Sequence, residues 1–211
     1  MEQAIFSRLR QTKRASRLPG NFERTMAQSL KTSWLAILIL AAALPAGAQK
    51  ETYNPRSMAP YVPTPIKVVH RMLKLGEVKN GDMLFDLGSG DGRIVITAAQ
   101  EYGAKAVGVE LDSDLAERAN ARIKELSIGD RANVLHADLM EVDLSSASVV
   151  TMYLLSSSNM QLRPKLEQDL KPGARVVSHD FQIMGWTPVK TETMQADTRE
   201  HTIFVYEIGK Q

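Results

Sequence analysis

The chain is constrained most strongly by an alternation of short apolar runs with amphipathic segments that begins after Gly81. The apolar runs have the length of buried strands, and the segments between them repeat their apolar residues at helical spacing. This alternation predicts an α/β domain built on one mostly parallel sheet with helices on both faces. The predicted strands are Met83–Leu87, Lys105–Leu111, Asn133–Ala137, Ser148–Leu154 and Ala174–Phe181. The predicted helices are one that begins at Ile66 and three over Ile94–Tyr102, Leu115–Leu126 and Met160–Leu170.

Two further β-like segments close the chain, over Thr187–Thr193 and His201–Ile208. They lie too close together in sequence for the crossover that parallel strands need, so an antiparallel hairpin is expected. The predicted fold class is therefore a single Rossmann-like, doubly wound sheet that is mostly parallel and ends in an antiparallel hairpin. In such sheets a ligand binds at the carboxyl ends of the strands, where the winding direction changes.

The first 48 residues have the pattern of a secretory leader. Lys31 precedes an apolar run over residues 34–45, and Ala46-Gly47-Ala48 follows, which predicts a signal peptide that is cleaved after Ala48. An uncleaved anchor is the alternative, although the run is shorter than the ~18–20 residues that span a membrane. A start at Met26 would give the signal ordinary proportions.

Three parts are therefore expected: a signal peptide or N-terminal anchor over 1–48, a Pro-rich arm over 49–65, and a folded domain over 66–211. The four prolines of the arm disfavour helix in the residue before each of them. The leader holds seven basic and two acidic residues, which leaves 19 basic and 22 acidic residues in 49–211. This slightly negative remainder gives no support to nucleic-acid binding.

The residue types also exclude several kinds of site. The chain has no cysteine, which removes disulfide bonds, thiol catalysis and cysteine-based zinc sites. His70, His136 and His201 show no ligand spacing among themselves and are expected to be surface or locally bonded residues. No metal site is therefore expected.

The most unusual local sequence follows the first predicted strand and reads Asp86-Leu87-Gly88-Ser89-Gly90-Asp91-Gly92-Arg93. Three glycines at alternate positions let the backbone take positive φ and let a ligand approach the main chain closely. A dinucleotide-binding loop would follow the pattern G-x-G-x-x-G/A and hold a pyrophosphate, but Arg93 stands at its third glycine position. The carboxylates of Asp86 and Asp91 would repel a pyrophosphate, and they favour a ligand with positive charge and no phosphate.

The segment Asp86–Gly92 resembles the first motif of class I S-adenosylmethionine (SAM) methyltransferases, whose cofactor bears a sulfonium and an α-amino group. The resemblance covers about Tyr61–Ile208 and implies a class I methyltransferase fold for the domain. It also implies which residues bind SAM: Asp86, Gly88, Gly90, Gly92, Glu110 and Asp138.

Two of these residues end strands, and each has an alternative role. The resemblance implies that Glu110 contacts the ribose hydroxyls of SAM and that Asp138 lies near its adenine amino group. Glu110 can instead be a solvated acid at a strand end, in which case Asp112 is the next candidate. Asp138 can instead cap a short following helix.

A narrower resemblance is visible in Tyr61-Val62-Pro63-Thr64-Pro65, in Phe85–Val95 and in the short route from Phe181 to the last strands. These segments are similar to a protein-lysine methyltransferase subfamily, whose best-known eukaryotic members act on mitochondrial inner-membrane proteins. Bacterial relatives of that subfamily have secretion-like N-termini. The resemblance implies that Tyr61 and Thr64 contact SAM and that the methyl acceptor is a protein lysine.

The expected pocket is open. Only Gln182–Trp186 separate the fifth strand from the terminal hairpin, too few residues for the helix usual in this class, and no inserted substrate domain is visible. The arm 49–65, a loop over Leu155–Asn159 and a loop over Phe181–Trp186 are expected to roof the pocket. Such a site favours a side chain on a macromolecule over an enclosed small metabolite.

Two candidate catalytic residues stand at strand ends. Tyr153 ends the fourth strand, where this class places groups that contact the acceptor, and its ring and hydroxyl suit an amine or a sulfonium. It can equally be a core aromatic. His179 and Asp180 end the fifth strand and form either an acid–base pair or a purely structural one.

The expected function is SAM-dependent methyl transfer, with a protein side chain as partner and possible membrane proximity through the N-terminal segment. The alternative is a non-catalytic or degenerate exported SAM-binding domain that binds a partner. A nicotinamide-dependent oxidoreductase is disfavoured by Arg93 and the acids of the loop. The leader predicts export or a membrane tether, whereas the cytosolic origin of SAM favours a cytoplasmic pool.

Overall fold

The computed structural model describes residues 57–211. The leader 1–48 and residues 49–56 of the arm lie outside the described residues, so the roles expected for them stay predictions. The described part contains seven strands: β1 (Met83–Leu87), β2 (Lys105–Glu110), β3 (Ala132–His136), β4 (Val149–Met152), β5 (Arg175–His179), β6 (Lys190–Ala196) and β7 (Arg199–Glu207). It contains four helices: α1 (Ile66–Leu75), α2 (Arg93–Glu101), α3 (Ser113–Glu125) and α4 (Ser156–Asp169).

The seven strands form one sheet in the order β3-β2-β1-β4-β5-β7-β6. The strands from β3 to β5 run parallel to their neighbours, whereas β7 is antiparallel to both β5 and β6. The predicted fold class is thereby confirmed. Because β1 lies between β2 and β4, the winding direction reverses at β1, and the carboxyl ends of β1 and β4 are the expected place for a ligand.

Helices cover both faces of the sheet. Leu84 and Phe85 follow each other in β1, so their side chains point to opposite faces, and each belongs to a different buried cluster. The cluster around Leu84 includes buried residues of α1, α2 and α3, and the cluster around Phe85 includes the buried leucines of α4. Burying one such side chain stabilises the fold by ~1.5–3 kcal/mol.

The start of α4 differs from the prediction. The helix begins at Ser156, so Leu155–Asn159, which was expected to be a loop over the pocket, is mostly the first turn of a helix. The apolar spacing that predicts a helix begins only at Met160, because the preceding serines carry no apolar periodicity. The burial of Leu162 and Leu166 fixes the helix on the sheet.

The bounds of β6 also differ from the prediction. Strand β6 is Lys190–Ala196, three residues later than the predicted Thr187–Thr193. It is an edge strand with mostly exposed residues, so its apolar pattern is weak. The connection between β5 and β6 contains no helix, as the short Gln182–Trp186 segment predicts.

Residues 57–65 of the arm form neither helix nor strand. Arg93 Nη1 donates a hydrogen bond of 2.8 Å to the carbonyl oxygen of Thr64, and the Ser158 hydroxyl donates to the carbonyl oxygen of Met58. The arm therefore contacts both the start of α2 and the start of α4. Within 57–211, no helix combines the length and the hydropathy that a membrane span requires.

Candidate active site at the carboxyl ends of the strands

The glycine-rich loop joins β1 to α2 at the point where the winding reverses. Gly88, Gly90 and Gly92 have φ values of 76°, 55° and 75°, in the left-handed region that side chains disfavour. The amides of Gly88 and Ser89 donate to the carbonyl oxygen of Val109 at 2.9 and 3.0 Å, which ties the loop to the end of β2. The three glycines are thus required by the backbone itself, as the sequence predicts.

Tyr61 lies directly on this loop. A β-carbon at Gly90 would stand 2.5 Å from Cε2 of the Tyr61 ring, so only glycine permits the contact. The Tyr61 side chain is still 47% exposed. Because Thr64 is held by Arg93 at the other end of the loop, the structure places both arm residues beside the glycines.

The charges of the loop are smaller than the sequence suggests. Arg93 forms an ion pair of 2.6 Å with Asp91; burial opposes ionisation of Asp91, but the hydrogen bonds and charge of Arg93 hold its pKa below the ordinary value. Asp86 is 2% exposed and accepts a hydrogen bond of 2.7 Å from the Thr151 hydroxyl. Burial raises the pKa of Asp86 to about 7. The inference from two uncompensated anions therefore overestimates the negative charge beside the loop.

Glu110 connects the loop to the residues after β2. Its Oε2 accepts a hydrogen bond of 2.7 Å from the Gly90 amide, and its Oε1 accepts one of 2.9 Å from the Asp112 amide. Each carboxylate oxygen keeps a second lone pair for a further donor. Asp112 is already engaged, because its Oδ1 accepts the Leu115 amide at 3.0 Å and caps α3.

Asp138 follows β3 and is half-buried. Its Oδ1 accepts a hydrogen bond of 2.9 Å from the Met140 amide, which closes a turn and does not begin a helix. Among the described residues, no hydrogen bond joins Asp138 to the glycine loop. Its contact with an adenine amino group stays a prediction.

Tyr153 and Thr64 both contact His179. The rings of Tyr153 and His179 have centroids 4.0 Å apart. His179 is fully buried, and its Nδ1 lies 3.3 Å from the Thr64 hydroxyl. Burial lowers the pKa of His179 to about 4, so this imidazole is neutral near pH 7. The two candidate catalytic residues and one predicted cofactor contact thus share one cluster.

His201 belongs to the same cluster, which contradicts the expectation of a surface or locally bonded histidine. It is 2% exposed, and its Nδ1 lies 2.9 Å from Nε2 of His179, 22 positions away in sequence. The antiparallel pairing of β5 with β7 causes this approach. Asp180 lies near both rings, at 3.4 Å from His179 Nε2 and 3.7 Å from His201 Nδ1.

Three possible ligand atoms of His179, Asp180 and His201 lie within 4.8 Å of one another. Arg199 Nη1 already pairs with Asp180 Oδ2 at 2.7 Å, and its positive charge opposes a cation at that oxygen. The expected absence of a metal site stays a prediction.

Sequence reasoning missed Thr151, Arg199 and His201. Thr151 is the residue of β4 in register with Asp86, and its position becomes informative only when the strand order is known. Arg199 and His201 occupy alternate positions of β7 and so share one face of the strand. No local signal assigns them to the site, because that face meets the site only through the pairing of β7 with β5.

Residues 86–190 match the family model described as the ANTKMT methyltransferase domain. A protein-lysine N-methyltransferase from Saccharolobus islandicus (strain REY15A) is 48% identical to this chain over 152 residues, which are 72% of this chain and 94% of that protein. An adenine nucleotide translocase lysine N-methyltransferase from Mus musculus is 38% identical over 136 residues, which are 64% of this chain, and the chain spans 58% of the length of that protein.

Among solved structures, a protein from Salinibacter ruber is similar over 71% of this chain and 95% of its own. It is 47% identical in sequence, with a TM-score of 0.66. It is described as an RNA methyltransferase and was crystallised with S-adenosyl-L-homocysteine.

Proposed function

Because the chain belongs to the family of class I protein-lysine N-methyltransferases, we propose that it transfers a methyl group from SAM to the side-chain amine of a lysine in a protein. The observation that carries the proposal is the 48% identity over 152 residues with a protein-lysine N-methyltransferase, of which the chain covers 94%. A second relative is named for a protein acceptor, the adenine nucleotide translocase.

The residues of the glycine loop fit this cofactor. A β-carbon at Gly90 has no room because the ring of Tyr61 lies against the loop there, so the backbone of the loop and an aromatic ring of the arm are both available to a ligand. Each Glu110 oxygen is held by one backbone amide and keeps a lone pair, so the carboxylate can accept two neighbouring ribose hydroxyls. The similar Salinibacter ruber structure contains S-adenosyl-L-homocysteine, the product that SAM leaves after methyl transfer.

Bound SAM supplies a methyl group that its sulfonium already activates. The chain therefore has to bind the cofactor, orient the lysine and exclude water, and orientation alone can contribute ~7–11 kcal/mol to lowering the barrier. Tyr153 directly follows β4, and its ring packs on His179. In this proposal its hydroxyl accepts an N–H of the lysine amine and thereby fixes the direction of the nitrogen lone pair.

The lysine must lose a proton before it can attack. Apolar surroundings lower the pKa of a lysine, because burial disfavours its charged form. His179 is neutral near pH 7, because burial lowers its pKa to about 4, and so adds no positive charge to this side of the pocket. Thr64 offers a second hydroxyl 3.3 Å from His179 Nδ1 for a polar contact with the amine or with SAM.

The experiment is transfer of labelled methyl from SAM into an extract of a strain that lacks the protein, catalysed by the purified full chain. Label on protein lysines, located by mass spectrometry, is the expected result. Tyr153→Phe should keep the affinity for SAM and lower the turnover. Label confined to lipid or to small metabolites would overturn the protein acceptor while leaving methyl transfer in place.

An RNA acceptor is the second candidate, because the 47% identical Salinibacter ruber protein is described as an RNA methyltransferase. The charge of residues 49–211, with 19 basic and 22 acidic residues, favours protein over RNA. A non-catalytic SAM-binding role is not favoured, because the similar proteins are named as methyltransferases. Label in RNA and none on protein would select the second candidate.

We propose further that residues 1–48 act as a signal peptide or as an uncleaved tether. The support is the apolar run over 34–45 between Lys31 and Ala46-Gly47-Ala48. Fractionation of cells followed by N-terminal sequencing tests this proposal, with Gln49 expected as the first residue of an exported form. A full-length protein found only in the cytoplasm would overturn it.

A further inference from the structure

We infer that Arg199 of β7 is a positioning residue of the acceptor site, which holds the Tyr153 hydroxyl in place and is itself held by Asp180. The inference rests on the proposed function, in which Tyr153 contacts the amine. It assigns part of the active site to the C-terminal hairpin, where sequence reasoning placed only structural strands.

The guanidinium of Arg199 bridges two groups of the site. Its Nη2 donates a hydrogen bond of 2.8 Å to the Tyr153 hydroxyl oxygen, and its Nη1 lies 2.7 Å from Asp180 Oδ2. The planar fork of an arginine can serve both partners at once. The Arg199 side chain is 47% exposed, so the fold does not need it as a buried support.

Asp180, the ion-pair partner of Arg199, is held in place by its backbone conformation and by two hydrogen bonds to Thr202. Its backbone has a φ of 60°, an uncommon conformation for a residue with a side chain. Its amide donates to the carbonyl oxygen of Thr202 at 2.7 Å, and its Oδ1 accepts the Thr202 amide at 2.9 Å. Strained positions of this kind tend to occur at functional sites, where the surrounding structure holds them in place.

The result is a hydroxyl with one defined direction. The Tyr153 ring packs against His179 in a tilted arrangement, with ring centroids 4.0 Å apart and 38° between the planes, and this contact restricts the ring. The N–H of Arg199 takes one lone pair of the hydroxyl oxygen, so the second lone pair faces away from Arg199 and is left for the amine of the acceptor. Without Arg199 the ring still packs against His179, but the hydroxyl oxygen loses the hydrogen bond from the guanidinium.

The test is a double-mutant cycle on methyl transfer with Arg199→Met and Tyr153→Phe. Arg199→Met alone should lower kcat about tenfold, the scale of one lost hydrogen bond to a charged group, with the KM for SAM unchanged. In the Tyr153→Phe background, Arg199→Met should lower kcat by less than a further twofold, because the hydroxyl through which it acts is already absent. If the two substitutions lower kcat by fully additive amounts, or if Arg199→Met raises the KM for SAM and leaves kcat unchanged, the inference is overturned.

A matched control is Arg71→Met. This change removes the Arg71–Glu192 ion pair, which ties the same hairpin to α1 and is also partly exposed, but it lies outside the site and should leave kcat unchanged. If Arg71→Met lowers kcat as much as Arg199→Met does, loosening of the hairpin explains both results, and the positioning role of Arg199 is overturned.

A readout without turnover separates this inference from the proposed function. Tyrosines are replaced by 3-fluorotyrosine, and the Tyr153 resonance is identified by its loss in Tyr153→Phe. Arg199→Met should move this resonance and Arg71→Met should not, even if the parent protein methylates no protein at all. An unmoved resonance in Arg199→Met would overturn the contact, whatever the acceptor is.

Discussion

At the scale of single residues, the contact between Gly90 and Tyr61 decides how much room the loop has. Gly90→Ala places a β-carbon 2.5 Å from the Tyr61 ring at a φ of 55°, and the left-handed backbone adds a cost of ~1–2 kcal/mol. We expect the affinity for SAM to fall at least tenfold in titration calorimetry. Gly173→Ala is the control, because Gly173 has a φ of 86° and no neighbour within 4 Å. Equal SAM affinity in Gly90→Ala and the parent would contradict this prediction.

Glu110 serves two purposes that one substitution removes together. Glu110→Ala leaves the amides of Gly90 and Asp112 without their acceptor, so it should destabilise the fold as well as weaken SAM binding by ~1.5–3 kcal/mol. Asp112→Ala should instead remove the cap of α3 at a cost of ~1 kcal/mol to stability while leaving SAM affinity unchanged. Calorimetry and urea unfolding measure the two effects separately. If Asp112→Ala loses more SAM affinity than Glu110→Ala does, Asp112 and not Glu110 is the cofactor contact.

Asp86 gives the protein a defined pH dependence. Its folded pKa of about 7 lies above the ~3.9 of an unfolded aspartate, so the folded state binds the proton more tightly. The free energy of unfolding therefore falls as the pH rises from about 4 to about 7. His179 contributes the opposite slope, because burial lowers its pKa to about 4.

Asp86→Asn isolates this effect, because His179 is present in both proteins and its contribution cancels. Urea unfolding at pH 5 and pH 8 should show that the variant lacks the part of the fall caused by Asp86. It should therefore gain stability relative to the parent as the pH rises. Parallel pH curves for variant and parent would show that Asp86 does not hold its proton in the folded protein.

At the scale of elements, α4 holds the connection after β5 through several side chains, of which Asn159 is the fully buried one. Asn159 is fully buried and donates from Nδ2 to the carbonyl oxygens of Phe181 and Gln182 at 3.1 and 3.4 Å. Asn159→Asp has nearly the same shape but turns both contacts into repulsion and buries a charge. We expect a loss of stability of ~2–4 kcal/mol in urea unfolding.

Ser157→Asp is the matched control for this prediction. It adds the same charge to the first turn of the same helix, but at an exposed position, where a negative charge interacts favourably with the helix dipole. Its stability should equal or slightly exceed that of the parent. If both variants lose the same stability, the charge on the helix and not the loss of the Asn159 hydrogen bonds is responsible.

The elements with strong periodicity were predictable from sequence, and those without it were not. The alternation after Gly81 predicts the parallel strands and the glycine loop, because each depends on neighbours in sequence. The first turn of α4 at Ser156 and the bounds of β6 depend on packing against distant segments. Arg199 and His201 reach the site only because β7 pairs with β5, which no local pattern encodes.

At the scale of the whole molecule, charge separates the two candidate acceptors. The basic excess of the chain is confined to residues 1–48, and 49–211 holds 19 basic against 22 acidic residues. We expect filter binding of RNA by the full chain to be weak at about 50 mM salt and lost by about 200 mM, because the basic excess available for phosphate contacts is confined to residues 1–48. Retention at the higher salt together with methyl label in the RNA would contradict this prediction and favour the RNA acceptor.

Two contacts of the site, one at the glycine loop and one at His179, join residues that lie at very different distances along the chain. Glu110 and Gly90 are 20 residues apart, whereas Thr64 and His179 are 115 apart. Loop closure makes the longer connection more costly by about 1.5 kcal/mol in chain entropy, and non-local contacts form later in folding. A refolding chain should therefore join Glu110 to the glycine loop before the arm residue Thr64 reaches His179, so the last step of folding is the one that completes the active site.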